Sequence, residues 1–167
     1  MSDFKLAYAA SSALTITLAS LASDTNILVG RESTAWDNSS NKYLDLLLGG
    51  KITTGTSPTA ARAIEVWAYA QVEDTPTYPD GITGSDSGRT LTSRDILFAS
   101  LRLAASLTVT ATSNVAYWMG PISIASLFGG VLPKKGGIWV AHNTVAALHA
   151  TAGNHALYIQ PVYATVA

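Results

Sequence analysis

Period-two alternation of apolar and polar side chains is the dominant pattern along this chain. Leu14-Thr15-Ile16-Thr17-Leu18 swaps strictly, as a half-buried strand requires. Further on, Ile64, Val66, Ala68, Ala70 and Val72 point one way from an extended segment, while Glu65, Trp67, Tyr69 and Gln71 point the other. From Leu97 to Val109 every odd position is apolar. A helix drawn through 94–106 competes for the first half of that stretch, whereas Thr108-Val109-Thr110 favours a strand for the second. Other strands are expected over 26–29, 43–48, 51–54, 115–119, 137–143 and 156–165. Gly49-Gly50 reads as a turn or bulge between two of these. Pro161 has no N–H, which puts the last strand at a sheet edge or bulges it there. One short helix is expected over 122–128, opened by Pro121 and stopped by Gly129-Gly130.

Eight or nine short strands, separated by Gly, Ser, Asn and Pro clusters and joined by uneven connections, predict an all-β fold. The expected architecture is a jelly-roll or Greek-key β-sandwich or barrel of about eight strands with one short helix. The longest connection, 73–94, carries Asp74, Asp80 and Asp86 and is of a length that is more often functional or mobile than incidental. The chain is expected to divide into an N-terminal extension, 1–12, and a single β domain, 13–167. The extension sets Phe4 and Tyr8 among small and polar residues, as in tails that are either disordered or ordered on a neighbour.

Composition sharpens this picture. The hydrophobic share is 48%, only 13% of residues are charged, and the formal net charge is −1. That balance excludes a disordered chain. It also leaves few charged groups to cover a lone globule, which points to surface buried against partners. The basic residues are scattered, with only Lys134-Lys135 adjacent, so direct binding of nucleic acid is not expected. The absence of cysteine removes disulfides, thiolate metal sites and thiol nucleophiles together. Residues 13–22 resemble a signal-peptide core, but Thr15 and Thr17 interrupt them and Asp3 and Lys5 precede them without a positive bias, so they are read as part of the fold. No apolar run approaches the length of a membrane span, and no membrane partner is expected.

The chain carries no complete catalytic motif. Gly84-Ser85-Asp86-Ser87-Gly88 has aspartate where a nucleophile elbow needs serine. His142, His149 and His155 have no carboxylate within four residues, and their spacing suits no helical or hairpin metal pair. The aspartates of the long connection stand six residues apart, unlike the alternate ligands of a calcium loop, and no phosphate cradle is present. Carboxylate pairs that meet in space stay open to a reading of sequence. The expectation is no enzyme, no cofactor and no metal. Trp67 and Tyr69 lie opposite the better apolar face of their strand. Either the domain covers both faces or these aromatics pack on another subunit, since aromatics are enriched in interfaces. With Phe4 and Tyr8 they form the candidate subunit interface.

Several short blocks carry a resemblance: Gly30-Arg31-Glu32-Ser33-Thr34-Ala35, Gly50-Lys51-Ile52-Thr53-Thr54-Gly55-Thr56-Ser57-Pro58-Thr59, Asp74-Thr75-Pro76-Thr77-Tyr78-Pro79, Leu127-Phe128-Gly129-Gly130-Val131-Leu132-Pro133 and Pro161-Val162-Tyr163-Ala164-Thr165-Val166-Ala167. Together they make the chain resemble the small virion structural proteins of tailed bacteriophages. The resemblance implies a multi-copy jelly-roll capsid decoration, or cement, protein on the outer surface of the capsid. Its partners would be the major capsid protein and copies of itself, with assembly in the host cytoplasm. It carries no catalytic residues over. Two other readings stand beside it: a tail, baseplate or fibre component that binds host-surface carbohydrate through exposed Trp and Tyr, and a hydrolase of the particle.

Overall fold

The computed structural model describes residues 3–75 and 77–166. In chain order the strands are β1 (Phe4–Tyr8), β2 (Ser12–Ala13), β3 (Val29–Glu32), β4 (Trp36–Asp37), β5 (Asp45–Thr53), β6 (Ala63–Gln71), β7 (Ser87–Thr90), β8 (Arg102–Thr108), β9 (Ala116–Ser123), β10 (Lys135–His142) and β11 (Ala156–Val166). Two short helices interrupt them, α1 (Arg94–Ser100) and α2 (Ile124–Leu127).

The strands form two antiparallel sheets. Sheet A has the order β1-β11-β5-β9, with β2 also on β11; sheet B has the order β7-β3-β10-β6-β8, with β4 also on β10. Setting aside the short β2, β4 and β7, the first strand pairs with the last, β3 with β10, β5 with β9, and β6 with β8. A ribbon so nested and rolled so that β11 also meets β5, and β10 meets β6, is a jelly roll. The expected fold class is therefore what the chain adopts.

Alternation builds the core between the sheets. Leu46, Leu48 and Ile52 of β5 and Leu157 of β11 face Ile64, Val66 and Ala68 of β6 and Ile138 and Val140 of β10, all buried. The other face of sheet B is covered as well. Trp67, Tyr69, Trp139 and Ala141 form a second core with Tyr78, Ile82, Leu91, Leu97 and Leu101, which the connection after β6 and the helix α1 lay across the sheet. Trp67 is 2% exposed and Tyr69 0%. This corrects their place in the candidate interface: both are interior residues, because the chain covers that face with its own apolar segment.

Local readings fare unevenly. The two strands expected around Gly49-Gly50 are one strand, β5. The bulge lies opposite, where β9 sets both Gly120 and Pro121 against Gly49. Gly50 has φ +138°, and a Cβ there would stand 1.9 Å from the Ala156 carbonyl oxygen, so only glycine suits that point of close approach. Residues 14–18 keep their alternating exposure without joining a ladder. Leu14 N–H bonds the Leu157 carbonyl in sheet A, and the Thr15 carbonyl accepts from Thr34 N–H beside sheet B, so the segment is a strap across the seam. The stretch after Arg94 is helix first and strand second. Ser93 caps α1 by accepting from Ile96 N–H at 3.2 Å. The helix expected at 122–128 shrinks to α2, because β9 runs through Pro121 to Ser123.

Pro161 is neither at an edge nor in a bulge; β11 lies inside sheet A between β5 and the β1/β2 side. Its missing N–H faces the gap between β2, which pairs with Tyr158 and Ile159, and β1, which pairs from Val162 onward. In that gap Ala9 N–H still donates to the Pro161 carbonyl at 2.9 Å. The reciprocal bond to the Ala9 carbonyl is forgone, and that carbonyl accepts from Gln160 Nε2 at 3.4 Å instead.

Candidate assembly surface

The two outer faces of this sandwich differ. That of sheet B lies beneath the segment between β6 and β8. On that of sheet A, Tyr158 (46% exposed) and Trp118 (71%) stand open to solvent, with the Lys51 ammonium 5.6 Å from the Trp118 ring centroid. The register puts them on one face, since Lys51 pairs with both Trp118 and Ala156, and Tyr158 is two residues along from Ala156.

The same face continues onto a projecting ribbon. Pairing of β5 with β11 ends at Asp45 and Val162, and Leu44 N–H donates to the Val162 carbonyl at 2.8 Å. Beyond that point Tyr163–Val166 has only β1 beside it, with Phe4 opposite Val166, Leu6 opposite Ala164 and Tyr8 opposite Val162. Phe4, Leu6 and Tyr8 therefore share one side of the ribbon and are 79%, 66% and 60% exposed. A lone two-stranded ribbon is marginal in water, and an apolar one is a docking element or a liability. An open hollow of about 480 Å³ lies at its base between Asn41–Leu44 and Tyr163–Ala164. Of the four candidate interface residues, Phe4 and Tyr8 come together here and Trp67 and Tyr69 do not. Leu6, Tyr158 and Trp118 were missed. For Leu6 the signal was available, since Phe4, Leu6 and Tyr8 alternate in Phe4-Lys5-Leu6-Ala7-Tyr8.

Several charged groups anchor the loops of the fold. Glu32, fully buried, accepts from Thr83 N–H, Thr83 Oγ1, Gly84 N–H, Ser87 Oγ and Arg89 Nε. Burial pushes its carboxyl up, but the Arg89 guanidinium and the other donors outweigh that and hold it below the usual range. Asp86 binds Arg31 Nε at 2.6 Å and Thr17 Oγ1 at 2.6 Å, and Asp80 takes Thr92 N–H and Oγ1. Asp74 pairs with Lys134. The three aspartates of the long connection thus serve three separate anchors. Glu65 takes both Arg94 nitrogens, at 2.8 and 3.2 Å, and the Trp67 Nε1–H at 2.9 Å. Among the described residues, no three His, Asp or Glu side chains converge where a metal could sit. A second open cleft of about 480 Å³ is lined by Ala70–Val72, Ser100, Arg102 and Phe128 with 131–134, a mixed apolar and basic set. Among the described residues no helix is long and apolar enough to cross a membrane.

The histidines tie loops together. His142 is fully buried, with Nε2 2.9 Å from the Leu21 carbonyl, so that nitrogen carries the proton; Nδ1 stands 2.9 Å from Thr144 Oγ1. His155 Nε2 donates to the His149 carbonyl at 2.9 Å and its Nδ1 accepts from Thr53 N–H at 3.4 Å. Burial holds both imidazoles below their ordinary value of 6.5, against the raising effect of the backbone carbonyls. The unfolded chain therefore takes up these protons first. Their contribution is complete above about pH 6.5 and is lost as pH falls from there toward the lowered folded values. Glu32 adds a later loss, as pH falls below about 4.5. Melting temperature should drop between pH 7 and pH 5, and the drop should shrink in His142→Gln. An identical slope in that variant would remove His142 from the explanation.

No protein-family model, no curated protein and no solved structure matches this chain.

Proposed function

We propose that this is a structural protein of a tailed-phage particle. In this reading it is a multi-copy decoration protein that reinforces junctions between major capsid subunits on the outer surface of the shell. The observation that carries the reading is the uncovered apolar face of sheet A, running from Trp118 and Tyr158 to Phe4, Leu6 and Tyr8 on a ribbon that the rest of the domain does not support. A part of a symmetric shell needs such repeated apolar contacts and no reaction centre. The jelly roll, the scarcity of charge and the short blocks of phage-like sequence agree with it.

The test is the number of copies per purified particle. Hundreds are expected, whereas roughly three to twelve, a count set by rotational symmetry of a tail, would move the protein off the head. A variant lacking residues 1–8 should keep both cores, since no residue of β1 belongs to either. It should lose at least about tenfold in affinity for the particle, roughly 1.4 kcal/mol.

Trp118 favours a second reading, a tail or fibre component that binds carbohydrate, because an open indole suits stacking on a sugar ring. Trp36 and Trp67 are buried and serve no such role. Glycan binding abolished by Trp118→Ala, with the protein located on the tail, would decide for it.

A further inference from the structure

The free edge of β1 is complementary to itself. In an antiparallel ladder each residue sends its N–H and C=O to one side, and successive residues alternate. Ala9 N–H reaches the Pro161 carbonyl, so the odd residues of β1 face β11. Phe4, Leu6 and Tyr8 consequently direct their backbone N–H and C=O away from it, and among the described residues β1 pairs with no other strand. The side chains of these three residues form the exposed apolar stripe of the ribbon. Polar backbone and apolar side chains are thus both unpartnered along one five-residue edge.

We infer that a second copy of this chain docks on this edge, β1 against β1 in antiparallel register, with a two-fold axis between the two Leu6 residues. Phe4 then faces Tyr8 of the other copy, and Leu6 faces Leu6. That register pairs every outward N–H and C=O of Phe4, Leu6 and Tyr8 in both copies; a shift by two residues in either direction leaves some unpaired. Sheet A becomes continuous across the two molecules, and the six apolar side chains line up in one stripe. Lys5 falls opposite Ala7, so no like charges are opposed, and the contact is isologous and closed. From their exposures, Phe4, Leu6, Tyr8 and Val166 offer on the order of 500 Å² of apolar surface per copy. Edge pairing covers only the flanks of these side chains that turn toward the partner, so the area buried is below that of a standard interface. The pairing is therefore weak in dilute solution and firm where many copies are held close together. It names one partner of the proposed assembly surface and rests on that reading.

The chain has no cysteine, which makes the register directly testable. Leu6→Cys, oxidised gently or bridged with a short bis-thiol linker, should give a covalent dimer, because facing hydrogen-bonded residues have Cα atoms about 5.5 Å apart. Phe4→Cys alone should cross-link at least about tenfold more slowly, its two copies being about 14 Å apart along the strands. The double variant Phe4→Cys/Tyr8→Cys should restore the rate. Sedimentation of the unmodified chain should show a concentration-dependent dimer. Leu6→Pro should abolish it without lowering the melting temperature, since the N–H it removes faces away from β11. A monomer at every concentration, equal cross-linking of Phe4→Cys and Leu6→Cys, or dimers of Leu6→Pro would each overturn the pairing. Hundreds of copies per particle without the Leu6 cross-link would sink the pairing alone. The cross-link in a protein that sits on the tail would sink the capsid reading alone.

Discussion

Glu32→Ala should lower stability by about 3–5 kcal/mol, the range for removing one partner of a buried charged network. Glu32 lies on β3 opposite Trp139, and its five hydrogen bonds come from residues 83–89. Without the carboxylate, the Thr83 and Gly84 N–H groups and the Ser87 hydroxyl lose their acceptor and Arg89 its counter-charge. Tyr78, Ile82 and Leu91 would then be held over sheet B by packing, the β7–β3 ladder and the Asp80 and Asp86 anchors, without the central clamp. Denaturant unfolding measures the loss, and limited proteolysis should find its first cuts within 73–94. Glu32→Gln should recover only part of it, because one of its terminal atoms is a donor facing donors. A loss below about 1 kcal/mol, with the segment still resistant, would mean that the carboxylate does not hold it down.

Trp67→Ala should be of similar size, about 3–5 kcal/mol for a large aromatic removed from a packed interior. The indole stacks edge-on against Phe98 at 5.3 Å and 75°, lies under the Arg94 guanidinium at 5.8 Å, and donates to Glu65. Its removal opens a hole beneath α1. Trp67→Phe keeps most of the volume and gives up chiefly the Nε1–H bond, for which about 1–2 kcal/mol is expected. The phenylalanine variant, studied while folded, should assemble with its partners as the unmodified chain does. An assembly defect in a stable Trp67→Phe protein would contradict the interior position.

What could be read from sequence was what alternation decides. Ile64, Val66 and Ala68 on one side, and Ala105 and Leu107 on β8, follow from the two-residue period, and so did the sandwich; Leu103, 43% exposed, does not, because a bulge at Ala104 shifts the register. The period does not say what covers the opposite face. A strand buried on both sides and one exposed to a partner both carry Trp67 and Tyr69 there. The difference lies in where 73–101 fold back, a long-range fact. Leu14–Leu18 misled for a related reason: a segment that touches one sheet and then the other shows the same alternation as a ladder strand. Pro161 was misplaced because its tolerance depends on a gap between two partner strands far away in sequence. Phe4 and Tyr8 were legible as apolar residues out of place. Trp118 was not, since Val115–Met119 is apolar almost throughout and the period gives it no side.

The nesting of the strands has a consequence for how the molecule is made. Among the described strands β1 leaves the ribosome before the rest and its partner β11 after them, roughly 10–30 s later at ordinary rates of translation. During that delay the middle hairpins can zip outward from β6 and β8, whereas the ribbon must close last. The exposed stripe is therefore completed only once β11 has emerged. A fragment that stops short of β11 leaves Phe4-Lys5-Leu6-Ala7-Tyr8 without its native strand, ready to be captured by a chaperone or to aggregate.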